Sequence, residues 1–188
     1  MKKFFINYHL RILFTIGIVM CGILHLGLKG EAASPEMQAP GLVISEWINS
    51  AGLSLEDLQG KVIVIDFFQL WCLGCNKFSI PLMEKWKQKY INRKDIQLIG
   101  IHTVFEGHSQ QMPERLRQYV KEKNITYPIG IDKYVSSQRL PETMIRYHIR
   151  GTPEMAIIDK NGRIRFQHFG GFNTAVAEKL IDTLLTEK

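Results

Sequence analysis

The feature that most restricts the fold is a continuous run of β-branched and aromatic side chains at residues 61–68 (KVIVIDFF), in which only Lys61 and Asp66 are charged. Strands that do not alternate between apolar and polar residues are buried on both faces. Such strands lie at the centre of a sheet that carries helices on both sides. The run therefore predicts the central strand of an α/β domain.

The rest of the chain alternates between strand-like and helix-like segments. Further strands are predicted at residues 96–102, 155–159 and 163–168, the last two joined by Asn161-Gly162, a dipeptide typical of tight hairpins. Helices are predicted at 74–90 with a kink at Pro81, at 113–123, 140–148 and 174–185, with a short helical turn at 55–58 capped by Ser54. This order predicts a central mixed β-sheet flanked by helices.

Two of the three cysteines, Cys72 and Cys75, are separated by two residues and closely follow the buried run. A domain of this size does not need disulfide staples, so the pair indicates chemistry. A helix is predicted to begin near Cys72, where free backbone N–H groups and the helix dipole stabilise a thiolate. Cys72 is therefore predicted to be the exposed attacking thiol, and Cys75 the buried thiol that resolves a mixed disulfide.

A metal site is the main alternative interpretation of the cysteine pair. Zinc would need two further ligands at suitable spacing, and the sequence has no second C-x-x-C. Asn76 follows the pair where a c-type haem attachment would have histidine. The other candidate ligands are scattered along the chain, at His102, His108, His148 and His168. No metal site is predicted.

The first 32 residues are predicted to be an export signal or an N-terminal membrane anchor. A basic start at residues 2–11 precedes residues 12–28, which carry no formal charge, and small residues suited to cleavage follow. The uncharged run lies between the length of a cleaved signal and that of a bilayer span, so both outcomes stay open. Residues 33–41 are predicted to be a linker, and residues 42–188 the folded domain.

Charge and composition exclude other classes of protein. The formal net charge is +6, but four of the 24 Lys and Arg residues and only one of the 18 acidic residues lie within residues 1–32. The remainder is only mildly basic, and it has no basic stripe interleaved with aromatic residues, so nucleic-acid binding is not expected. With 45% hydrophobic and 22% charged residues, the chain is typical of globular proteins.

Three segments resemble the thioredoxin-like family, and in particular its exported TlpA/ResA-like redoxins of the AhpC/TSA-redoxin superfamily. Residues 66–75 (DFFQLWCLGC) are similar to the thioredoxin active-site segment, and residues 147–153 (YHIRGTP) to its cis-proline segment. Residues 39–40 and 53–62 resemble the entry region of the redoxins. The resemblance covers about residues 39–188 and implies a thioredoxin fold with an N-terminal redoxin-type extension.

The resemblance also implies roles for single residues. Pro153 would be a cis-proline beside the Cys72–Cys75 pair, and the backbone of Thr152 would pair with an extended substrate. Asp66 matches a buried acid that exchanges a proton with the second cysteine, although a strand-end aspartate bonded to backbone is the simpler alternative. The implied substrate-binding residues are Trp71, Leu73, Gly74 and Thr152.

Leu73-Gly74 departs from the Gly-Pro or Glu-Pro found between the cysteines in many relatives, which leaves the redox potential open. No cofactor is implied beyond the cysteine pair itself.

The function expected from these features is thiol–disulfide exchange with protein partners outside the cytoplasm, acting as a reductase of the cytochrome c maturation type. A reductase needs electrons, so a membrane electron donor is expected as a second partner. An oxidant of nascent protein thiols and a copper or zinc chaperone that uses the same cysteines are the alternatives. A thiol peroxidase is not expected, because Gln69 stands where peroxiredoxins have Thr or Ser.

Overall fold

The computed structural model describes residues 37–135 and 138–187. The strands in these ranges are β1 (Ile44–Ile48), β2 (Val62–Phe68), β3 (Ile96–His102), β4 (Ile129–Asp132), β5 (Glu154–Ile158) and β6 (Ile164–Phe169). The helices are α1 (Ile80–Lys89), α2 (Pro113–Glu122), α3 (Glu142–Arg146) and α4 (Thr174–Thr186). Across the ranges given above, no helix has the length and apolar character needed to cross a membrane. The predicted export segment at residues 1–32 lies outside the described residues.

One mixed sheet joins all six strands in the order β1-β4-β3-β2-β5-β6. The β2–β3 and β3–β4 pairs are parallel, and the other three pairs are antiparallel. All seven residues of β2 are buried, and the strand has a hydrogen-bonded neighbour on each edge. The predicted central strand and the mixed sheet with flanking helices are therefore confirmed.

Alternate residues of β2 belong to two different hydrophobic cores, as the two-residue period of a strand requires. Val62, Val64 and Phe68 pack with side chains of α1, α2 and α4. Ile63, Ile65 and Phe67 pack with α3 and with the segment that precedes β2. Asp66 shares the face of the first set and is therefore surrounded by the α1 side of the core.

Two strands, β1 and β4, were not expected from the sequence. β4 has only four residues, contains Gly130 and follows Pro128, features that on their own indicate a loop. β1 is not fully buried at any position and so lacks a continuous apolar signature. β1 and β4 pair with each other, and β4 also pairs with β3. These partners are distant in sequence, so no local pattern marks the two strands.

The helix predicted at residues 74–90 is present, but its first part is a π-helical turn at Cys75–Ser79. The N–H of Ile80 donates to the carbonyl of Cys75, five residues earlier. Pro81 has no N–H to donate, and its ring would clash with the carbonyl four residues before it. A wider turn directly before the proline relieves both problems, so the irregularity expected at Pro81 takes the form of this π turn.

The other predicted elements lie within two residues of their expected ends, and β5 and β6 form the predicted hairpin. The predicted helix at residues 55–58 is instead a pair of hydrogen-bonded turns, in which the Oγ of Ser54 still accepts from the N–H of Asp57. The described end of the predicted linker is bonded to the hairpin, because Ala39 donates to Gly162 and Ile164 donates to Met37.

Candidate active site

Cys72 and Cys75 form a disulfide where the chain turns from β2 into the helix. Cys75 is completely buried, whereas Cys72 is partly exposed. The backbone N–H of Cys75 donates to Cys72 Sγ over 3.0 Å. The same N–H would stabilise a negative charge on that sulfur in the reduced protein. Cys72 Sγ is therefore the accessible sulfur and already accepts a backbone hydrogen bond, whereas Cys75 Sγ is the protected one.

Asn76 holds the turn that carries the cysteines. Its Nδ2 donates to the carbonyls of Leu70 and Cys72, over 2.8 and 2.9 Å. Its Oδ1 accepts from the hydroxyl of Tyr119 on α2, over 2.8 Å. One side chain therefore connects the loop before the disulfide, the first helical turn and a second helix. In the sequence, Asn76 only argues against a haem attachment, and nothing there predicts this role.

Pro153 lies on the other side of the disulfide turn, and the Thr152–Pro153 peptide bond is cis. The proline ring is close to Gly74, because a Cβ placed on Gly74 would lie 2.9 Å from Pro153 Cδ. Glycine between the cysteines therefore allows the two segments to approach. Gly74 was predicted as a substrate-binding residue and as part of a departure from the family pattern, and the structure adds a steric reason for glycine at this position.

An open groove surrounds the partly exposed sulfur of Cys72. Two of its apolar side chains are strongly exposed, Trp71 at 49% and Leu73 at 66%. The indole of Trp71 packs against Gly107 and donates from Nε1 to Gln69 Oε1 over 3.0 Å. The groove is lined by Gln69, Trp71, Cys72, Leu73, Gly74, Phe105, Glu106, Arg150, Gly151, Thr152 and Phe169.

Gln111, which was not predicted from the sequence, connects the two loops on the Trp71 side of this groove. Its Oε1 accepts from the N–H of Leu70 over 2.9 Å, and its Nε2 donates to the carbonyl of Glu106 over 2.9 Å. His102 Nε2 lies 3.3 Å from the same Oε1. Burial lowers the pKa of His102 to about 4, so the ring is neutral and carries its proton on Nε2.

Asp66 is completely buried in β2 and does not line the groove. Its Oδ2 accepts from the hydroxyl of Ser79 over 2.9 Å, and its Oδ1 has no hydrogen-bond partner among the residues that the structure describes. Burial raises the pKa of Asp66 to about 7, although the Ser79 hydrogen bond opposes the shift. A carboxyl group that titrates near neutral pH can give up or take a proton under physiological conditions.

The four histidines considered as metal ligands lie apart in the fold. His102 is buried beside Gln111, His108 packs against Tyr134, and His168 contacts the ring of Phe166. Among the described residues, no group of three or more His, Cys, Asp or Glu side chains converges on one point.

The structure thus brings together most of the residues predicted for the site. Trp71, Cys72, Leu73, Gly74 and Thr152 line one groove. Pro153 contacts this group through Gly74, and Cys75 lies beneath it as the disulfide partner. Asp66 stands apart, on β2 beside Ser79, which lies four residues after Cys75 on the helix.

An open apolar groove around one sulfur of a disulfide is suited to exchange of that bond with another molecule, and the helix N-terminus is suited to hold the thiolate formed. The protein therefore has a thioredoxin fold that carries a disulfide site suited to thiol–disulfide exchange. More specifically, the chain belongs to the AhpC/TSA family, which residues 34–167 match.

Known relatives support this class. A thiol-disulfide isomerase from Corynebacterium glutamicum has a solved structure that superposes with a TM-score of 0.74 at 39% identity, covering 80% of this chain and 98% of that one. Protein DipZ of Mycobacterium bovis is 31% identical over 163 residues, which is 85% of this chain but only 22% of DipZ. Thiol-disulfide oxidoreductase ResA of Bacillus cereus is 25% identical over 162 residues, 82% of this chain and 85% of ResA.

Proposed function

We propose that this protein reduces disulfides of partner proteins outside the cytoplasm, with electrons supplied by a membrane donor, as in cytochrome c maturation. One observation carries the reaction itself: Cys72 Sγ is accessible in the groove and accepts a hydrogen bond from the N–H of Cys75. The extracytoplasmic location rests on the export-like sequence of residues 1–32. The resemblance of this chain to ResA-type oxidoreductases supports the choice of protein substrates.

The reaction proceeds in two exchanges. In the reduced protein, the Cys72 thiolate attacks one sulfur of the substrate disulfide, the S–S bond breaks, and its electron pair leaves on the other sulfur. The Cys75 thiolate then attacks Cys72 Sγ and releases the second substrate sulfur as a thiolate. The substrate gains two electrons, and the protein returns to the disulfide form seen here. The membrane donor reduces this disulfide again.

Cys75 must lose its proton before the second exchange, and it is completely buried. Water does not reach it directly, so a nearby internal base favours the step. Asp66 supplies a carboxyl group with a pKa of about 7 on the same side of the core. In this mechanism Asp66 accepts the Cys75 proton, and Ser79 holds the carboxylate in place.

The first test is reduction of insulin disulfides by the full-length protein with dithiothreitol as electron source. We expect wild type to accelerate precipitation of the insulin chains and Cys72→Ser to show no acceleration. Cys75→Ser keeps the attacking thiol, so it should retain substrate proteins as mixed disulfides that reducing agent releases. Tight stoichiometric metal binding by the reduced protein, without any reductase activity, would replace this proposal with a metal chaperone.

The direction of electron flow is tested by the reduction potential of the Cys72–Cys75 pair. Strong oxidants of this class have reduction potentials of about −120 mV, and thioredoxin has one of about −270 mV. A value close to the thioredoxin end supports a reductase, and a value close to the oxidant end would make the protein an oxidant of nascent thiols.

The location is tested by fractionating cells that express the full chain or residues 33–188 alone. Only the full chain should reach the extracytoplasmic side.

A further inference from the structure

The groove around Cys72 carries one negative and one positive side chain on different parts of its lining, Glu106 and Arg150. We propose, as a refinement that rests on the thiol–disulfide exchange proposed above, that this groove selects extended protein segments by charge. The preferred segment has its disulfide sulfur between an acidic side chain, bound by Arg150, and a basic side chain, bound by Glu106. A segment with these two charges exchanged is disfavoured.

Contacts along the groove associate the two charges with different residues of the disulfide turn. Trp71 packs against Gly107, the residue next to Glu106. On the other side of Cys72, Gly74 contacts Pro153, which belongs to the same loop as Arg150. Glu106 therefore adjoins the Trp71 part of the turn and Arg150 the Gly74 part, and we take a bound chain to pass one charge before Cys72 and the other after it.

The Arg150 side chain is exposed, but a buried carboxylate beside it holds its position. Its side chain is 65% exposed, while its Nε lies 3.8 Å from the carboxylate of Glu154, which is 1% exposed. The Glu154 carboxylate is fixed in turn, because it accepts from the backbone N–H of Arg150 and from Gln167 Nε2, both over 2.9 Å. Within the described ranges, neither terminal amino group of Arg150 donates a hydrogen bond, and its closest contact with Glu154 is made through Nε. Those groups are available to a carboxylate, which guanidinium binds well.

An aromatic ring supports the same guanidinium from another direction. The Cζ of Arg150 lies 5.5 Å from the centre of the Phe169 ring, which is itself a lining residue of the groove. Phe169 can approach because Gly151 has no side chain, and a Cβ at that position would lie 2.8 Å from the ring. Stacking of this kind limits the rotamers of Arg150 before any ligand binds, which lowers the entropy cost of binding.

Glu106 is positioned through its backbone. Its carbonyl accepts from Gln111 Nε2, and Gln111 also holds Leu70 just before the disulfide. Its carboxylate is exposed and makes no hydrogen bond or ion pair with any residue that the structure describes. Glu106 and Arg150 do not pair with each other, so each is available to a ligand. The apolar surface of Trp71 and Leu73 lies between them and suits the uncharged part of a bound segment.

The test uses the reduced full-length protein and three synthetic peptides, each with one cysteine joined by a disulfide to thionitrobenzoate. The first peptide has Asp before and Lys after the cysteine, the second has the two exchanged, and the third has Ser at both positions. Attack of Cys72 on the peptide sulfur breaks the S–S bond and releases coloured thionitrobenzoate, and Cys75 then releases the peptide thiol. We expect one charged order to react about fivefold faster than the other, with the Ser peptide between them.

The variant Arg150→Glu/Glu106→Lys should reverse the preferred order, and 1 M salt should reduce the preference of wild type. Lys121→Glu changes the net charge as Arg150→Glu does, at an exposed site outside the groove, and should leave the preference unchanged. Equal rates for all three peptides in wild type, or the same effect from Lys121→Glu, would overturn the proposed selection. Absence of thionitrobenzoate release from every peptide would instead overturn the exchange activity itself.

Discussion

Two adjacent strands of the sheet, β2 and β5, each bury one carboxyl group, and the two groups have different surroundings. Asp66 of β2 lies opposite Met155, and Glu154 of β5 lies opposite Phe67, so the two residues are near neighbours across one antiparallel pair. Both side chains are almost inaccessible to water. Glu154 accepts two hydrogen bonds of 2.9 Å and has an arginine beside it. Within the described part of the chain, the Asp66 carboxyl group accepts one hydrogen bond, from Ser79, and its other oxygen has no partner.

The difference teaches how adjacent strands of one sheet can hold a structural carboxyl group on one face and a chemical one on the other. A buried carboxylate is stable when donors compensate its lost hydration, and Glu154 has them. Asp66 lacks such compensation, so burial raises its pKa to about 7 and its proton is easily exchanged. Glu154 therefore orders the loop that bears Arg150, whereas Asp66 is suited to carry a proton.

The largest expected change in the free energy of unfolding is that caused by Asp66→Asn. The folded-state pKa of about 7 lies above the ordinary value near 4, so folding takes up a proton between these pH values. The free-energy cost of Asp66 is absent below about pH 4, grows as pH rises, and is complete above about pH 7. Asn should therefore raise the free energy of unfolding by about 4 kcal/mol at pH 8 and by little near pH 4. Urea denaturation at pH 4.5, 6 and 8 measures this.

The same variant should exchange disulfides more slowly, because it cannot accept the proton of Cys75. A gain in stability that is the same at all three pH values would show that Asp66 is not a buried acid with a raised pKa. Unchanged exchange rates would remove Asp66 from the mechanism while leaving the stability argument intact.

The second-largest effect should be a decrease in the free energy of unfolding, in contrast to the increase expected for Asp66→Asn. Glu154→Leu leaves the Arg150 N–H without its acceptor and removes one of the two acceptors of Gln167 Nε2, so it should lower the free energy of unfolding by about 3 kcal/mol at pH 8. Glu154→Gln keeps one acceptor oxygen and should lose about half as much. Both variants should also weaken the preference between the two charged peptides, because Arg150 loses its anchor. If Glu154→Leu were as stable as wild type, the contrast with Asp66 would fail.

The parts of the site that the sequence predicted are those built from neighbouring residues. The run at residues 61–68 identified β2, because a strand buried on both faces has an unbroken apolar signature. Cys72 and Cys75 followed from their spacing, and their position after a strand placed them at a helix N-terminus. Pro153 and Thr152 were identified only through the family resemblance, because neither stands near the cysteines in sequence.

The parts that were missed depend on contacts between distant segments. Gln111 is 41 residues from Leu70, which it holds, and nothing in its own neighbourhood marks it as part of the site. Glu154 starts a buried strand and finds its donors in the preceding loop and on β6. A single glutamine or glutamate has no local periodicity or motif, so only the fold reveals its partners.

The smallest expected effect is a shift in a pH profile, which tests how the Ser79 hydroxyl changes the pKa of Asp66. Its hydroxyl donates to the carboxylate, and this hydrogen bond favours the charged form and holds the pKa of Asp66 below the value that burial alone would give. Ser79→Ala should therefore raise that pKa further and move the pH profile of insulin reduction upward by about one pH unit. Thr103→Val is the matched control, because it removes a buried hydroxyl that donates to a different carboxylate, Asp132. A shift of equal size in both variants would indicate general loosening of the core, whereas a shift confined to Ser79→Ala would link the Ser79–Asp66 hydrogen bond to the proton that Cys75 loses.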